Sequence, residues 1–375
     1  MADLIVEVSK LAGLALDLRD VGATFSANAK RLLPTVSLHA GTTGQLAALT
    51  PSVQRLHDML SGAHRSDLSA LDALGRNLGV TANRYQASDE QHAHAISLAA
   101  TTALGGQDVF ASGSPQDVVG FGGLQLPTLP GVEPAPYQVR QVVAASIEIL
   151  TPYEEPLSRA IGVRPVADHL APLEADWEAL ESVGRCIGLL GINDFVTSEN
   201  LANGTRWLQH SWSGEASSAF GVASTTLKDS IGARSEDLDV VAKIVGNGGR
   251  LLERLVHNQA MDLAVTITKS MRFLDFTLPL GVWAQLIDSP MQHSMKSEIS
   301  SAVEALKKSA ASRQDEISNT IERIACALTY EPGRSLPVHN PSDFELPDKF
   351  NGDLGACRYG YGGNVWWEHT VDSTD

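Results

Sequence analysis

The sequence predicts an all-α fold, an elongated bundle of long helical hairpins followed by an irregular C-terminal tail. Three observations predict it. Apolar residues recur in alternating steps of four and three over long stretches, no stretch shows the period-two alternation of a strand, and Pro and Gly cluster where the helical pattern stops.

The first seam runs through Leu4, Val8, Leu11, Ala15, Leu18, Gly22, Phe25, Ala29 and Leu32, a narrow packing stripe on one long helix. It ends at Leu33-Pro34, since proline lacks the N–H that would continue the ladder. After a turn, Thr50 followed by Pro51 marks an N-cap and a first helical residue. The second helix has its seam at Val53, Leu56, Leu60, Leu71, Leu74, Leu78 and Ala82, and further steps of three and four bring up Tyr85 and Asp89. Residues 1–104 are therefore expected to form an N-terminal hairpin. Residues 105–135 concentrate Gly and Pro without periodicity, which marks a flexible linker or an extended loop.

A second helical domain is expected over 136–287. Its pattern resumes near Tyr137 and passes through Val166, Leu170, Leu173, Trp177 and Leu180. Glycines at 184, 188 and 191 weaken it, and it recovers at Leu201 and Leu208. Phe220, Ala223, Leu227, Ile231, Leu238, Val241, Val245, Leu252 and Leu255 then trace another long seam. The bend between the two falls at Trp212-Ser213-Gly214. There an indole can close the apolar end of a bundle, Gly214 permits a tight turn, and Ser213 can cap the helix that starts at Glu215. Residues 288–330 form an amphipathic helix through Ile299, Val303, Leu306, Ile317 and Ile324. The tail, 331–375, gathers Tyr359, Tyr361, Trp366 and Trp367 among glycines; folding back over helix surface is the simpler reading, stacking on a sugar or peptide the alternative. A lone two-helix hairpin buries too little to be stable, so each hairpin needs a partner, and the linker is long enough for the two to pair in cis.

Composition narrows the function classes. The 375 residues carry 28 Lys+Arg against 44 Asp+Glu, a formal charge of -16 that opposes attachment to nucleic acid or anionic lipid. Cys186, Cys326 and Cys357 are widely spaced with no CxxC pair, so neither a zinc site nor a disulfide framework is indicated, although a Cys326–Cys357 bridge stays open. The N-terminus is charged at Asp3 and Glu7 and has no Sec-type signal pattern. The longest mainly apolar stretch, near 259–287, is interrupted by Asp262, Lys269, Arg272 and Asp275, a poor membrane span; a soluble protein is expected.

No catalytic residue, metal ligand or cofactor is predicted. His92 and His94 diverge by about 200° on a helix and cannot chelate one ion alone. The run GNGGR at 246–250 follows no strand and lacks the Lys-Ser/Thr of a phosphate loop, so a helix irregularity is expected. Neither GxSxG nor HExxH occurs, and Glu154-Glu155 between prolines reads as a solvated turn.

What remains is a possible recognition mark. Tyr85 and Asp89 stand four apart, so on a helix they project from one face. "YQASD" after a helical hairpin, and "WSGEASSAF" opening a second long helix, resemble the YxxxD/E export signal and the WxG turn of type VII (ESX) secretion substrates of actinobacteria. The order of the two resembles the EspB-like arrangement, in which a PE-like hairpin is fused to a PPE-like helical domain, and the first hairpin is similar to the EspC-like group. The first hairpin has no WxG of its own and no Pro-Glu or Pro-Pro-Glu opens either domain, so the resemblance is to the broader class of substrates.

That resemblance implies a non-enzymatic protein, a secreted effector or secretion-associated factor, made in the cytoplasm and exported without a Sec signal peptide. It implies a composite recognition surface of Trp212 and Gly214 beside Tyr85 and Asp89, read by an ATPase or chaperone of the secretion machinery. A helical partner or a homo-oligomer fits the same resemblance, which leaves membrane contact open. Two other classes compete: an effector with a small C-terminal toxin in 288–375, and an oligomeric or membrane-interacting component of the apparatus.

Overall fold

The structure, a computed structural model, describes residues 6–104, 118–133, 136–273, 275–332 and 338–345, with only the backbone of 92–104. Leu4, Cys357, the side chains of His92 and His94, and the aromatic tail around Tyr359 to Trp367 lie outside the described residues. The protein is mostly helical. Among the described residues the α-helices are α1 (Val8–Leu32), α2 (Thr50–Leu104), α3 (Gln138–Ile161), α4 (Ala179–Gln209), α5 (Glu215–Thr268), α6 (Leu280–Gln285) and α7 (His293–Leu328).

Three local expectations are corrected. A short antiparallel hairpin, β1 (Ser270–Phe273) and β2 (Phe276–Pro279), pairs Ser270 with Pro279 and Phe273 with Phe276. Four-residue strands are too short for alternation to stand out from a neighbouring helical seam. The hairpin is anchored by Phe273, edge-on to Trp283 at 5.2 Å, and by the Trp283 indole N–H, which donates to the Met271 carbonyl at 2.9 Å. The stretch from Val166 to Leu180 is not one amphipathic helix. Pro165 and Pro172 break it into a wide turn over Pro165–Leu170 and a 3-10 turn over Ala171–Leu173 before α4 begins. Glu154 and Glu155 lie within α3, not in a turn. The Glu154 carboxylate accepts from the backbone N–H groups of Val166 at 2.7 Å and Ala167 at 3.0 Å, satisfying donors at the start of the wide turn.

The chain forms two compact units, each assembled from three separate stretches. Unit 1 comprises Met1–Thr35, His57–Gly131 and Cys186–Asp239. Its apolar core takes Leu11, Leu14, Leu18, Val21 and Phe25 from α1, Leu71, Leu74, Leu78 and Ala82 from α2, and Leu201, Leu208 and Ile231 from α4 and α5. The seams read from both hairpins therefore meet in one cluster, which is how each gains the burial it lacks alone. Residues 118–131 are extended rather than free, hydrogen-bonded to α1 and α4 side chains.

Unit 2 comprises Val36–Leu56, Val132–Arg185 and Val240–Asp375. Gly246, Gly248 and Gly249 sit inside the regular helix α5, the last two as contact notches. A Cβ on Gly184 would come within 2.7 Å of the Gly246 backbone, and one on Gly249 within 2.9 Å of Leu180 Cβ, so these glycines let helix backbones touch. Arg313 of α7, 3% exposed, donates to Gln259 at 2.8 Å and pairs with Asp262. Glu178, also buried, caps α3 by accepting from the N–H groups of Gln138 and Val139, both at 2.8 Å.

Buried Glu253 gives unit 2 a pH dependence of defined sign. Burial pushes its carboxyl up to about 8, nearby Glu178 and Glu181 add repulsion, and Arg250 and Arg254 offset part of it. Glu253 Oε1 is buried and makes no hydrogen bond among the described residues. A folded-state value above the unfolded one means the protonated form stabilises the fold, and that stability is lost as pH rises towards 8. Buried His257, held down to about 4 by burial, acts oppositely but only below its unfolded value near 6.5. Between pH 6.5 and 8, stability is thus expected to fall by up to about 2 kcal/mol. Thermal melts across that range should show the fall in the native protein and a flat profile in Glu253→Gln.

Candidate functional site

The Trp212-Ser213-Gly214 bend lies in unit 1, between the end of α4 and the start of α5. Gly214 has φ +106°, a conformation that strains any residue with a Cβ. The bend is closed by hydrogen bonds across it: the Ser217 hydroxyl donates to the Trp212 carbonyl at 2.8 Å, and Ser218 N–H to the Gly214 carbonyl at 3.0 Å. The chain just before α1 docks alongside. Val6 forms an antiparallel bridge with Trp212, and Glu7 N–H donates to the Ser211 carbonyl at 3.0 Å.

Trp212 is 4% exposed, so it is a core residue rather than a presented one. Its ring lies 5.9 Å from that of Phe220, and it belongs to the cluster built from Leu11 to Ile231. Its indole N–H is buried and makes no hydrogen bond among the described residues. Tyr85 is half-buried and packs on the same cluster, as do Trp207, Phe220 and Phe121. Asp89, one turn further along α2, is exposed. The structure thus brings Tyr85 and Trp212 to one apolar cluster; Ser213 is half-buried, Gly214 is exposed, and Asp89 is not part of that cluster.

Apolar periodicity missed the polar groups that fix this unit. Arg234 of α5 binds Asp67 of α2 at 2.6 Å and Asp194 of α4 at 2.7 Å, with all three side chains under 10% exposed. Burial alone would favour the neutral guanidine, but the two carboxylates outweigh it and hold Arg234 charged. Burial drives the Asp194 carboxyl upward while Arg234 draws it back. His64 lies tilted against Phe25, with centroids 4.2 Å apart, and is held down to about 4, first by burial and then by Arg234 and Lys30. A signal existed in the spacing. The α2 seam skips from Leu60 to Leu71, and its missing four-three-four positions are His64 and Asp67; the α5 seam skips from Ile231 to Leu238 across Arg234.

Among the described residues, no group of three or more His, Cys, Asp or Glu side chains could hold a metal ion. No helix there is long and apolar enough to cross a membrane. No family model matches this chain, and neither do any curated protein or solved structure.

Proposed function

We infer that this chain is a non-enzymatic protein exported by a type VII (ESX) secretion system, acting outside the cytoplasm as an effector or secretion-associated factor. The observation that supports this reading best is that Tyr85 packs on the same apolar cluster as the Trp212 bend, while Asp89 one turn beyond is exposed. A receptor can then read two things at once: a carboxylate in water, and a phenol whose orientation is fixed by the fold behind it. The buried Trp212 serves by holding that end of the unit closed, not by touching the receptor.

Because Tyr85 is half-buried, the test uses variants that keep its packing. Tyr85→Phe removes only the hydroxyl and Asp89→Asn only the charge, so stability should change by no more than about 0.5 kcal/mol. Secretion of each should drop by about tenfold or more, the effect of losing roughly 1.4 kcal/mol of recognition. Undiminished secretion of both would remove the export mark.

A further inference from the structure

Residues 118–131, VVGFGGLQLPTLPG, carry no charge and run without helix along unit 1. They are held mostly by side chains that address their main chain. Asn200 of α4 uses its amide twice, accepting from Gln125 N–H at 2.9 Å and donating to the Gln125 carbonyl at 2.7 Å. Asn28 of α1 repeats the pattern further on, accepting from Leu129 N–H at 3.1 Å and donating to the Pro127 carbonyl at 3.0 Å. Asp17 accepts from Phe121 N–H at 2.7 Å, the Ser9 carbonyl from Val119 N–H at 3.2 Å, and Arg31 donates to the Leu129 carbonyl.

The receiving surface is built for a backbone. Asn28, Asn193 and Asn200 are all buried, and Asn193 orients Asn28 through a 2.9 Å bond while donating to the Phe25 carbonyl at 3.1 Å. Buried amides are costly unless bonded, and here the remaining bonds of Asn28 and Asn200 go to the extended segment. On α1, Gly13 leaves space that a Cβ would fill, since that atom would overlap the Val119 carbonyl. Side-chain anchoring is light: Leu129 is buried, Phe121 and Leu124 half-buried, while Val118, Val119 and Leu126 are exposed. A cavity of about 10 Å³, room for about one water, remains beside Gln125 and Pro127.

We propose that this groove is a peptide-binding site for an extended, uncharged main chain, filled in cis by residues 118–131, and that its occupant in trans is the same segment of a second copy of this chain. Main-chain hydrogen bonds are the same whichever copy supplies the segment, so exchange loses no contact. An uncharged strand also adds no like charge at the junction of two chains that each carry -16. The cis segment competes at a tethered concentration of roughly millimolar, so native copies exchange only when crowded to that level or when the cis segment is dislodged.

A fluorescent peptide with the sequence of residues 118–131 tests this on the full-length chain. Phe121→Ser/Leu124→Ser/Leu129→Ser strips the cis segment of its anchors and leaves the groove intact; it should bind the peptide about tenfold or more tightly than the native chain. Adding Gly13→Ala, which obstructs the groove while favouring helix α1, should abolish that binding. The triple-serine chain mixed with a Gly13→Ala chain, whose segment is intact and displaced, should sediment as a one-to-one pair at concentrations where neither self-associates. Helical circular dichroism checks the fold, and Leu129→Ser alone replaces the triple variant should that unfold. Equal peptide binding by the native, triple-serine and Gly13→Ala forms, or none by any, would overturn the groove. Peptide binding without pairing of the two chains would overturn the second copy as occupant.

Discussion

Replacing Arg234 by Met should destabilise the protein by about 3–5 kcal/mol, because it leaves the Asp67 and Asp194 carboxylates buried without a counter-charge. Both are under 10% exposed, so neither can recover hydration without opening unit 1. The guanidinium is the group through which one side chain of α5 holds α2 and α4 together in that unit. Loss of packing and loss of charge balance are separable. Combining Arg234→Met with Asp67→Asn and Asp194→Asn should recover part of the lost stability in urea titrations, since no buried charge is then left uncompensated. If the triple variant is less stable than the single one, the hydrogen bonds rather than the charges carry the network.

Trp212→Ala is expected to cost a comparable amount, about 3–5 kcal/mol, the usual range for deleting a buried aromatic side chain. The indole contacts a cluster drawn from α1, α2, α4 and α5, and the bridge from Val6 depends on the bend it occupies. Trp212→Phe should lose much less, because among the described residues the indole N–H makes no hydrogen bond that phenylalanine would forfeit. A second consequence follows for export. If Tyr85 is read in an orientation fixed by this cluster, Trp212→Ala should reduce secretion even where the protein remains folded, whereas an equally destabilising core substitution in unit 2, such as Leu263→Ala, should not. Urea unfolding and secretion measured on the two variants side by side distinguish these cases.

The helical character of the chain was readable because long four-three seams leave little room for another interpretation. Leu11, Leu18, Phe25, Ala29 and Leu32 of the first seam, and Leu71, Leu74, Leu78 and Ala82 of the second, are buried as their spacing requires. The polar core was hidden by the same method. Asp67, Arg234, Asn28 and Asn193 occupy positions that an apolar pattern skips, and a skipped position looks like an ordinary interruption until its partner, far away in sequence, is known. The glycines mislead for a related reason. Gly184 and Gly249 lower helix propensity, which suggests irregularity, but their use is close approach between helices, a tertiary effect that overrides propensity. Flanking prolines suggest a solvated turn at Glu154, but α3 tolerates Pro152 and Pro156 within its length, and the carboxylate serves backbone donors 12 and 13 residues on. For the candidate site, spacing placed Tyr85 and Asp89 on one helix, but only the fold could show that the first is half-buried and the second exposed.

Export itself is tested most directly by producing the full-length chain in an actinobacterial strain with an intact type VII system and in the same strain lacking its ATPase, then comparing secreted and cell-associated fractions. Export through that system requires the protein in the medium or cell envelope of the first strain and its retention in the cells of the second, with a cytoplasmic marker retained in both. Equal release from both strains, or retention in both, would contradict it.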